Sequence, residues 1–524
     1  MYNPAITVAE LMTFVTVTVC AWVYLFYRFV CSHNAIRFQN DIIPSHNSRK
    51  FNFWHDRGVP GPTPIPIFGN SFSIMSGSIT NFDITCRETY GKLYGTYEGT
   101  VPILIMADPV VVKQVFNANF SKFTDQFVPN PSSHDPFHME HIVALQGDKW
   151  RRVRQVMNRS MAVAKMREAG NHNFSVSHLM QQLEKRIGQR IDAPQLLVTF
   201  TMSAALSMLL GVDLDLFNNP QAGEIMDIVT DVFTTLSILN VSFSQYWLVE
   251  RLPFWLSKVL GITSHTLSCT NYYRNVITHI LRERMKSDSI ELRDKPDYLN
   301  TVIDAMAKGQ MTEDEVIAST MIMSIAAFGP TSSALVFMVY ELAKNPVSQR
   351  CLQHEIDNLL AGKESVTFDD LPKFKYLDAV IRETIRMHAA EARSFRIVTA
   401  AEGVTVPGSG IHLPRGSSVQ VPHYGIHYDP DYWPNPHVFD PSRFLPENKS
   451  KMQVCSFMGF GSGPRMCPGV LFAETLLKMT AIHVLHKYDL SSPAPDRIVF
   501  PRNSVIATTD GVSFVANKRA SQSH

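Results

Sequence analysis

The stretch "FGSGPRMCPG", Phe460 to Gly469, sets a cysteine between a glycine-rich loop and the predicted start of a helix. Its glycines allow the backbone to approach a flat ligand closely, because they carry no side chain. Cys467 stands just before a Pro-Gly pair, where free backbone N–H groups and the positive end of the helix dipole favour a thiolate. Arg465 is placed to pair with an acidic group of the same ligand. The stretch therefore predicts a ligand-binding cysteine rather than an inert, buried one.

The overall composition is that of a globular protein with a sizeable core. The chain has 524 residues, of which 45% are hydrophobic and 18% charged. Its 48 basic and 47 acidic side chains give a formal charge of +1, which argues against nucleic acid as a partner. The seven cysteines are scattered and form no CxxC pair, so a reducing compartment is expected rather than a disulfide framework.

The N-terminus predicts a membrane anchor. Seventeen residues from Leu11 to Tyr27 contain no charge, which is near the minimum for spanning a bilayer. No Lys or Arg precedes Arg28, which disfavours a cleaved signal peptide, and a buried helix is the other alternative. Basic residues follow the segment and place the rest of the chain in the cytosol. We expect a single-pass anchor over residues 1–32.

A polar spacer and a proline-rich hinge are expected over residues 33–70, because prolines alternate from Pro60 to Pro66 and exclude both helix and central strand. We assign residues 71–524 to one catalytic domain. Two β-rich runs, 93–97 and 101–106, predict a hairpin.

The region from 147 to about 360 is mostly helical in pattern. The longest helix is predicted to begin after Thr312, whose spacing from Glu315 is that of a capping box, and to end before Pro346. Past Arg396 the chain is rich in proline and glycine, with short strands. These patterns favour an α+β fold that is mainly α.

The cysteine stretch has the form F-x-x-G-x-R-x-C-x-G and resembles the haem loop of the cytochromes P450. Three further motifs of that family occur along the chain: "WRRVR", "ETIR" and "FDPSRF". The resemblance implies a helix-rich haem domain with small β-sheets, haem b as cofactor and Cys467 as the axial ligand of the iron. In that family the thiolate promotes O–O cleavage.

The resemblance also implies roles for individual residues. Glu383, Arg386 and Arg443 match a structural Glu-Arg-Arg network that holds the haem pocket. The cofactor-binding residues that it implies are Trp150, Arg154, Arg396, Phe460, Arg465, Cys467 and Gly469.

The long helix departs from the family pattern. Thr331 fits the position of a catalytic threonine, but Pro330 precedes it where an acid is usual. A proline removes one helical hydrogen bond, here to the carbonyl of Ala326, and we expect a local opening at this point. The missing acid puts the usual proton relay in doubt.

These features give one leading function and two alternatives. The leading function is a monooxygenase that inserts one oxygen atom from O₂ into a lipid, steroid or xenobiotic, with electrons from NADPH. The alternatives are a peroxide isomerase or dehydratase, which needs no reductase, and a haem-binding pseudoenzyme. The expected partners are NADPH-cytochrome P450 reductase, with cytochrome b5 as a second candidate, a hydrophobic substrate and the lipid of the endoplasmic reticulum membrane.

Pocket residues are expected from five segments of the chain. These are residues 127–141, 254–262, 325–331, 391–395 and 504–510. Glu391 is expected to meet either a polar group of a substrate or solvent. Arg151 and Arg152 are expected to form part of a docking patch or a solvated helix face.

Overall fold

A computed structural model of the chain describes residues 51–126, 140–162, 176–210, 215–219, 267–286, 297–492 and 511–519, apart from residues 67, 77, 362, 364 and 365. The predicted anchor, the first part of the spacer and the predicted pocket segments 254–262 and 504–510 lie outside these residues, as do residues 127–139 of the first pocket segment.

Thirteen α-helices are found in the described residues. They are α1 (Ser71–Ser76), α2 (Ile79–Tyr90), α3 (Pro109–Lys113), α4 (Gly147–Ser160), α5 (Val176–Glu184), α6 (Ala193–Leu210), α7 (Leu267–Lys286), α8 (Tyr298–Ala307), α9 (Glu313–Lys344), α10 (Pro346–Leu360), α11 (Lys375–Met387), α12 (His423–His427) and α13 (Val470–Lys487).

Nine short strands accompany them. They are β1 (Leu93–Glu98), β2 (Val101–Met106), β3 (Arg190–Asp192), β4 (Arg393–Ile397), β5 (Val404–Thr405), β6 (His412–Leu413), β7 (Ser418–Pro422), β8 (Tyr488–Ser491) and β9 (Ser513–Lys518). The predicted hairpin is confirmed as the antiparallel pair β1 and β2. The largest sheet has the order β1-β2-β7-β4, with β2 and β7 parallel. It therefore combines two strands from the first part of the sequence with two from the last part. The mainly α prediction is confirmed.

Helix α9 is the central element of the helical core. It packs against α6, α7, α8, α11 and α13, and its most apolar 18-residue window is 83% buried. α9 and α6 are both long and apolar enough to cross a membrane, but their burial among other helices is that of core helices in a globular domain.

Local sequence signals set the beginning of α9. The Thr312 hydroxyl accepts a hydrogen bond from the N–H of Glu315, and the Glu315 carboxylate accepts one from the N–H of Thr312. The predicted capping box is thus confirmed. Arg152 on α4 forms two further hydrogen bonds to the Glu315 carboxylate, at 2.6 and 2.8 Å. Arg152 therefore ties α4 to α9, whereas Arg151 is exposed, and the expected docking patch stays a prediction.

Pro330 does not interrupt the helix, although a local opening was expected there. α9 is helical through all 32 of its residues, with Pro330 inside it. The proline still leaves the carbonyl of Ala326 without the N–H that other residue types would donate. Its effect is the loss of one hydrogen bond within an intact helix.

The predicted hinge is docked on the first sheet, where residues 51–70 are described. The buried Trp54 indole donates to the carbonyl of Thr96, 3.0 Å away, and the N–H of Gly95 donates to the carbonyl of Pro60. A Cβ atom on Gly61 would overlap the carbonyl of Gly95. The described part of residues 51–70 therefore packs against the first sheet, and the division at residue 71 stays a prediction.

A buried ionic network joins α11 to the loop before the cysteine stretch. Glu383 and Arg386 are both fully buried and share two hydrogen bonds of 2.7 and 2.8 Å. Arg386 also donates to the carbonyls of His427 and Pro436, and Arg443 lies 3.3 Å from Glu383. The three residues expected to form a network do lie together. Their contacts are to one another and to backbone carbonyls, so they stabilise the fold.

Replacing Arg386 with alanine should destabilise the protein strongly. Removal of one member of a buried ion pair leaves the other charge uncompensated, at a cost of about 3–5 kcal/mol. The matched control is Arg382→Ala, one turn earlier on α11. The Arg382 side chain is 42% exposed and lies 3.5 Å from Glu474. Because exposed ion pairs contribute little, this substitution should cost less than about 1 kcal/mol of stability. Urea unfolding followed by circular dichroism measures both, and equal midpoints for the two variants would contradict the structural role.

Candidate active site

A cavity of about 250 Å³ lies between α9, the end of α11, strand β4 and the cysteine stretch. Most of its wall is apolar, with side chains from α4, α6, α9, α11 and α13. Its polar and charged lining residues within the described chain are Gln126, Arg154, Thr331, His388, Glu391, Ser394, Arg396, Arg465 and Cys467. Such an apolar space with few polar groups suits a hydrophobic ligand held in one orientation.

Cys467 presents its thiol to this cavity. Its backbone N–H donates to the carbonyl of Phe460, 2.9 Å away, and Gly469 is the N-cap of α13. Burial raises the pKa of the Cys467 thiol to about 11, although the N–H of Gly469 and the charge of Arg154 favour the thiolate. The side chain of Cys467 is nevertheless exposed and lines the cavity, so the thiolate expected from the sequence stays a prediction. A cationic centre bound to the sulfur reverses that balance.

Glycines give the loop before Cys467 its shape. Gly461 and Gly463 have φ of +71° and +77°, which other residues adopt only with strain. A Cβ atom on Gly463 would overlap the carbonyl of Phe116, and one on Gly459 would overlap Ile385. The loop therefore packs tightly at its back and keeps the cysteine side open to the cavity.

Arg465 is held in a fixed position beside the cysteine. It donates to the carbonyls of Thr124 and Leu145, at 2.6 and 2.8 Å. Its guanidinium lies 4.2 Å from the centre of the Trp150 ring and 3.5 Å from Asp125. Trp150 thus supports the arginine through a cation–π contact.

Three guanidinium groups in the cavity wall have N–H groups without a partner. Within the described chain, Arg154 Nε, Arg396 Nε and Arg465 Nη1 are buried and form no hydrogen bond. Burial lowers the pKa of Arg396 to about 9 and that of Arg465 to about 10, and it also lowers the pKa of Arg154. Unpaired buried donors of this kind are rare in folded proteins and indicate an anionic ligand.

These observations fit a haem, the group that the family resemblance implies. Haem b carries two carboxylates, which would accept hydrogen bonds from the unpaired guanidinium groups, and an iron that would bind the Cys467 sulfur. The chain brings to this one cavity wall Trp150, Arg154, Arg396, Phe460, Arg465, Cys467 and Gly469, and their role in binding a cofactor stays a prediction.

Thr331 and Pro330 line the wall that α9 supplies, together with Ala326 and Ala327. Of the described parts of the predicted pocket segments, 325–331 and 391–395 therefore contribute residues. Sequence reasoning missed Met208 on α6, His388 at the end of α11, and Phe472 and Leu477 on α13. The signal of Met208, Phe472 and Leu477 is an apolar helix face, which is equally typical of core residues, and His388 follows α11 as its C-cap with no local signal.

Comparison with known proteins agrees with these features. A sequence model of the family described as Cytochrome P450 matches residues 59–513. Cytochrome P450 3A40 of Oryzias latipes is 30% identical over 478 residues, which cover 89% of this chain and 91% of the relative. Lithocholate 6-beta-hydroxylase of Mesocricetus auratus is 30% identical over 453 residues, covering 83% and 86%. Cytochrome P450 3A5 of Homo sapiens is 29% identical over 457 residues, covering 84% and 87%.

Replacing Arg396 with glutamine should speed the loss of haem from the protein. A hydrogen bond to a charged group contributes about 1.5–3 kcal/mol, which corresponds to a rate increase of about tenfold or more. Transfer of haem to an excess of apomyoglobin measures the rate. Arg415→Gln is the matched control, because Arg415 is exposed and lies outside the cavity. Equal rates for both variants would show that Arg396 does not hold the group.

Proposed function

Because the chain belongs to the cytochrome P450 family, we propose that it is a membrane-bound haem-thiolate monooxygenase that inserts one oxygen atom of O₂ into a hydrophobic molecule. Its class is that of a cytochrome P450 monooxygenase, and the family implies a haem-thiolate cofactor, a redox partner and a hydrophobic substrate. The finer statements below are our proposals for this chain.

One observation carries the proposal: a thiol and three arginines, each with one buried N–H that has no partner, line the same apolar cavity. Haem b, when bound, supplies the activation of O₂. Cys467 is proposed as the axial ligand of its iron, and Arg154, Arg396 and Arg465 as donors to its carboxylates. Trp150 positions Arg465, and Phe460 and Gly469 shape the loop on either side of the sulfur.

The substrate is proposed to be a lipid, a steroid or a xenobiotic. The cavity wall supplies apolar side chains from five helices, which favour such molecules over polar metabolites. One relative, the Mesocricetus auratus protein, has a name that specifies hydroxylation of lithocholate. That name supports a steroid-like molecule as one candidate for this chain.

The electrons are proposed to come from NADPH through NADPH-cytochrome P450 reductase, with cytochrome b5 as a second donor. The predicted anchor at residues 1–32 supports the endoplasmic reticulum membrane as the location, with the catalytic domain in the cytosol. Exposed basic residues on α4, among them Lys149 and Arg151, support a docking face for an acidic partner.

A second candidate function, isomerisation or dehydration of a lipid peroxide, is favoured by the α9 wall. Between Glu315 and Glu341 the helix carries no acid, and Pro330 occupies the wall beside Thr331. Ser332 donates to the carbonyl of Gly329 within the helix, which occupies its hydroxyl. A peroxide substrate brings its own oxygen and needs neither a reductase nor a proton relay.

Comparing the requirements of turnover separates the two candidates. The monooxygenase should form product only when NADPH, reductase and O₂ are all present, because both electrons and oxygen come from outside. We expect no product from a lipid hydroperoxide alone in the absence of oxygen. Mass spectrometry of the products measures both conditions. Rapid anaerobic conversion of the hydroperoxide without reductase would favour the isomerase instead.

A further inference from the structure

Glu391 is the one carboxylate among the described residues that line the cavity. It lies in the short segment between α11 and strand β4. Ser394 and Arg396 follow it within β4. No hydrogen bond or ion pair of its carboxylate is found in the part of the chain that the structure describes. An acid in an apolar wall costs free energy unless a partner compensates its charge.

The backbone around Glu391 is fixed by a buried histidine. His423 Nδ1 donates to the carbonyl of Glu391 over 2.8 Å, and the N–H of His423 donates to the carbonyl of Ala392 over 2.9 Å. His423 Nε2 then accepts from the Ser394 hydroxyl at 2.8 Å. Burial lowers the pKa of His423 to about 4, which keeps the ring neutral, as this pattern of donor and acceptor requires.

The next residues along the chain are equally constrained. Arg393 is buried and forms a two-pronged ion pair with Asp83, and it also donates to the Gln420 side chain. Glu391 is thus held between two anchored positions. These bonds fix the backbone at Glu391, and its exposed side chain lines the cavity, where it can meet a ligand.

The other charges around the cavity indicate which kind of ligand the Glu391 carboxylate would pair with. Arg465 has Asp125 at 3.5 Å, and two haem carboxylates would accept hydrogen bonds from the N–H groups of Arg154, Arg396 and Arg465 that have no partner. Burial raises the pKa of Glu391 above its ordinary value, and the charge of Arg396 offsets only part of that rise. Once Arg396 is engaged by a haem carboxylate, the Glu391 charge has no partner left in the described wall.

We propose that Glu391 selects hydrophobic substrates that carry a positive charge, such as lipophilic amines, and positions them in the cavity. The apolar wall would hold the body of such a molecule, and Glu391 would hold its cationic end. This inference rests on the proposed function, because it assigns the substrate class of the same cavity. Glu391 acts here as a specificity-determining residue and not as a group that performs the chemistry.

A pair of matched ligands tests this proposal on the haem-loaded full chain. One probe is trimethyl(phenylbutyl)ammonium, whose quaternary nitrogen cannot bind iron. The other is its neutral analogue, in which carbon replaces that nitrogen. Equilibrium dialysis gives the dissociation constant of each probe. We expect Glu391→Gln to weaken binding of the ammonium probe about tenfold or more and to change binding of the neutral probe less than about twofold.

Glu402→Gln is the control, because Glu402 is an exposed acid outside the cavity, and it should leave both constants unchanged. Equal weakening of both probes by Glu391→Gln would show a structural role, and no weakening would show no contact; either result overturns the proposal. The reduced carbonyl spectrum of the same samples reports thiolate ligation separately. A normal spectrum with no effect of Glu391→Gln would refute the substrate class and leave the proposed function intact.

Discussion

Uncompensated charge around one cavity is the constraint on which the rest of the structure depends. A thiol whose pKa burial raises to about 11 and guanidinium groups with unpaired N–H atoms are unfavourable in a protein on its own. All of them become favourable together when a group with a cationic metal and two carboxylates binds. The Trp150 ring, the Phe460 carbonyl and the glycine loop hold these side chains in place.

The cavity wall opposite Cys467 is formed by α9. This helix keeps its structure, but the residues that it presents to the cavity beside Thr331 differ from the family pattern. α9 keeps its capping box, its contact to α4 and its full length, so the proline does not weaken the frame visibly. What changes is the chemistry of the surface beside Thr331, where an acid is absent. Glu391 supplies a carboxylate from the segment between α11 and β4 instead. We infer that this rearrangement of charge concerns substrate choice.

Much of this arrangement is predictable from the sequence where the signal is local. The capping box at Thr312, the hairpin and the helix after Cys467 depend on residues a few positions apart. Partners that are distant in the chain were not predictable, since nothing marks Arg152 as the partner of Glu315, 163 positions away. The thiolate expected at Cys467 stays a prediction, because the pKa of its thiol depends on the whole cavity and on the group bound there. The docking of residues 51–70 was missed because alternating prolines predict extension but not what the extended chain packs against.

Cys467 is proposed to bind the haem iron as a thiolate. The most direct measurement is the absorption spectrum of the reduced protein with carbon monoxide, for the native chain and for Cys467→Ala, with Cys351→Ala as the control at an exposed cysteine outside the cavity. We expect the red-shifted Soret band of a thiolate-bound haem in the native chain and in the Cys351 variant, and its loss in Cys467→Ala. Survival of that band in Cys467→Ala would show that another group binds the iron.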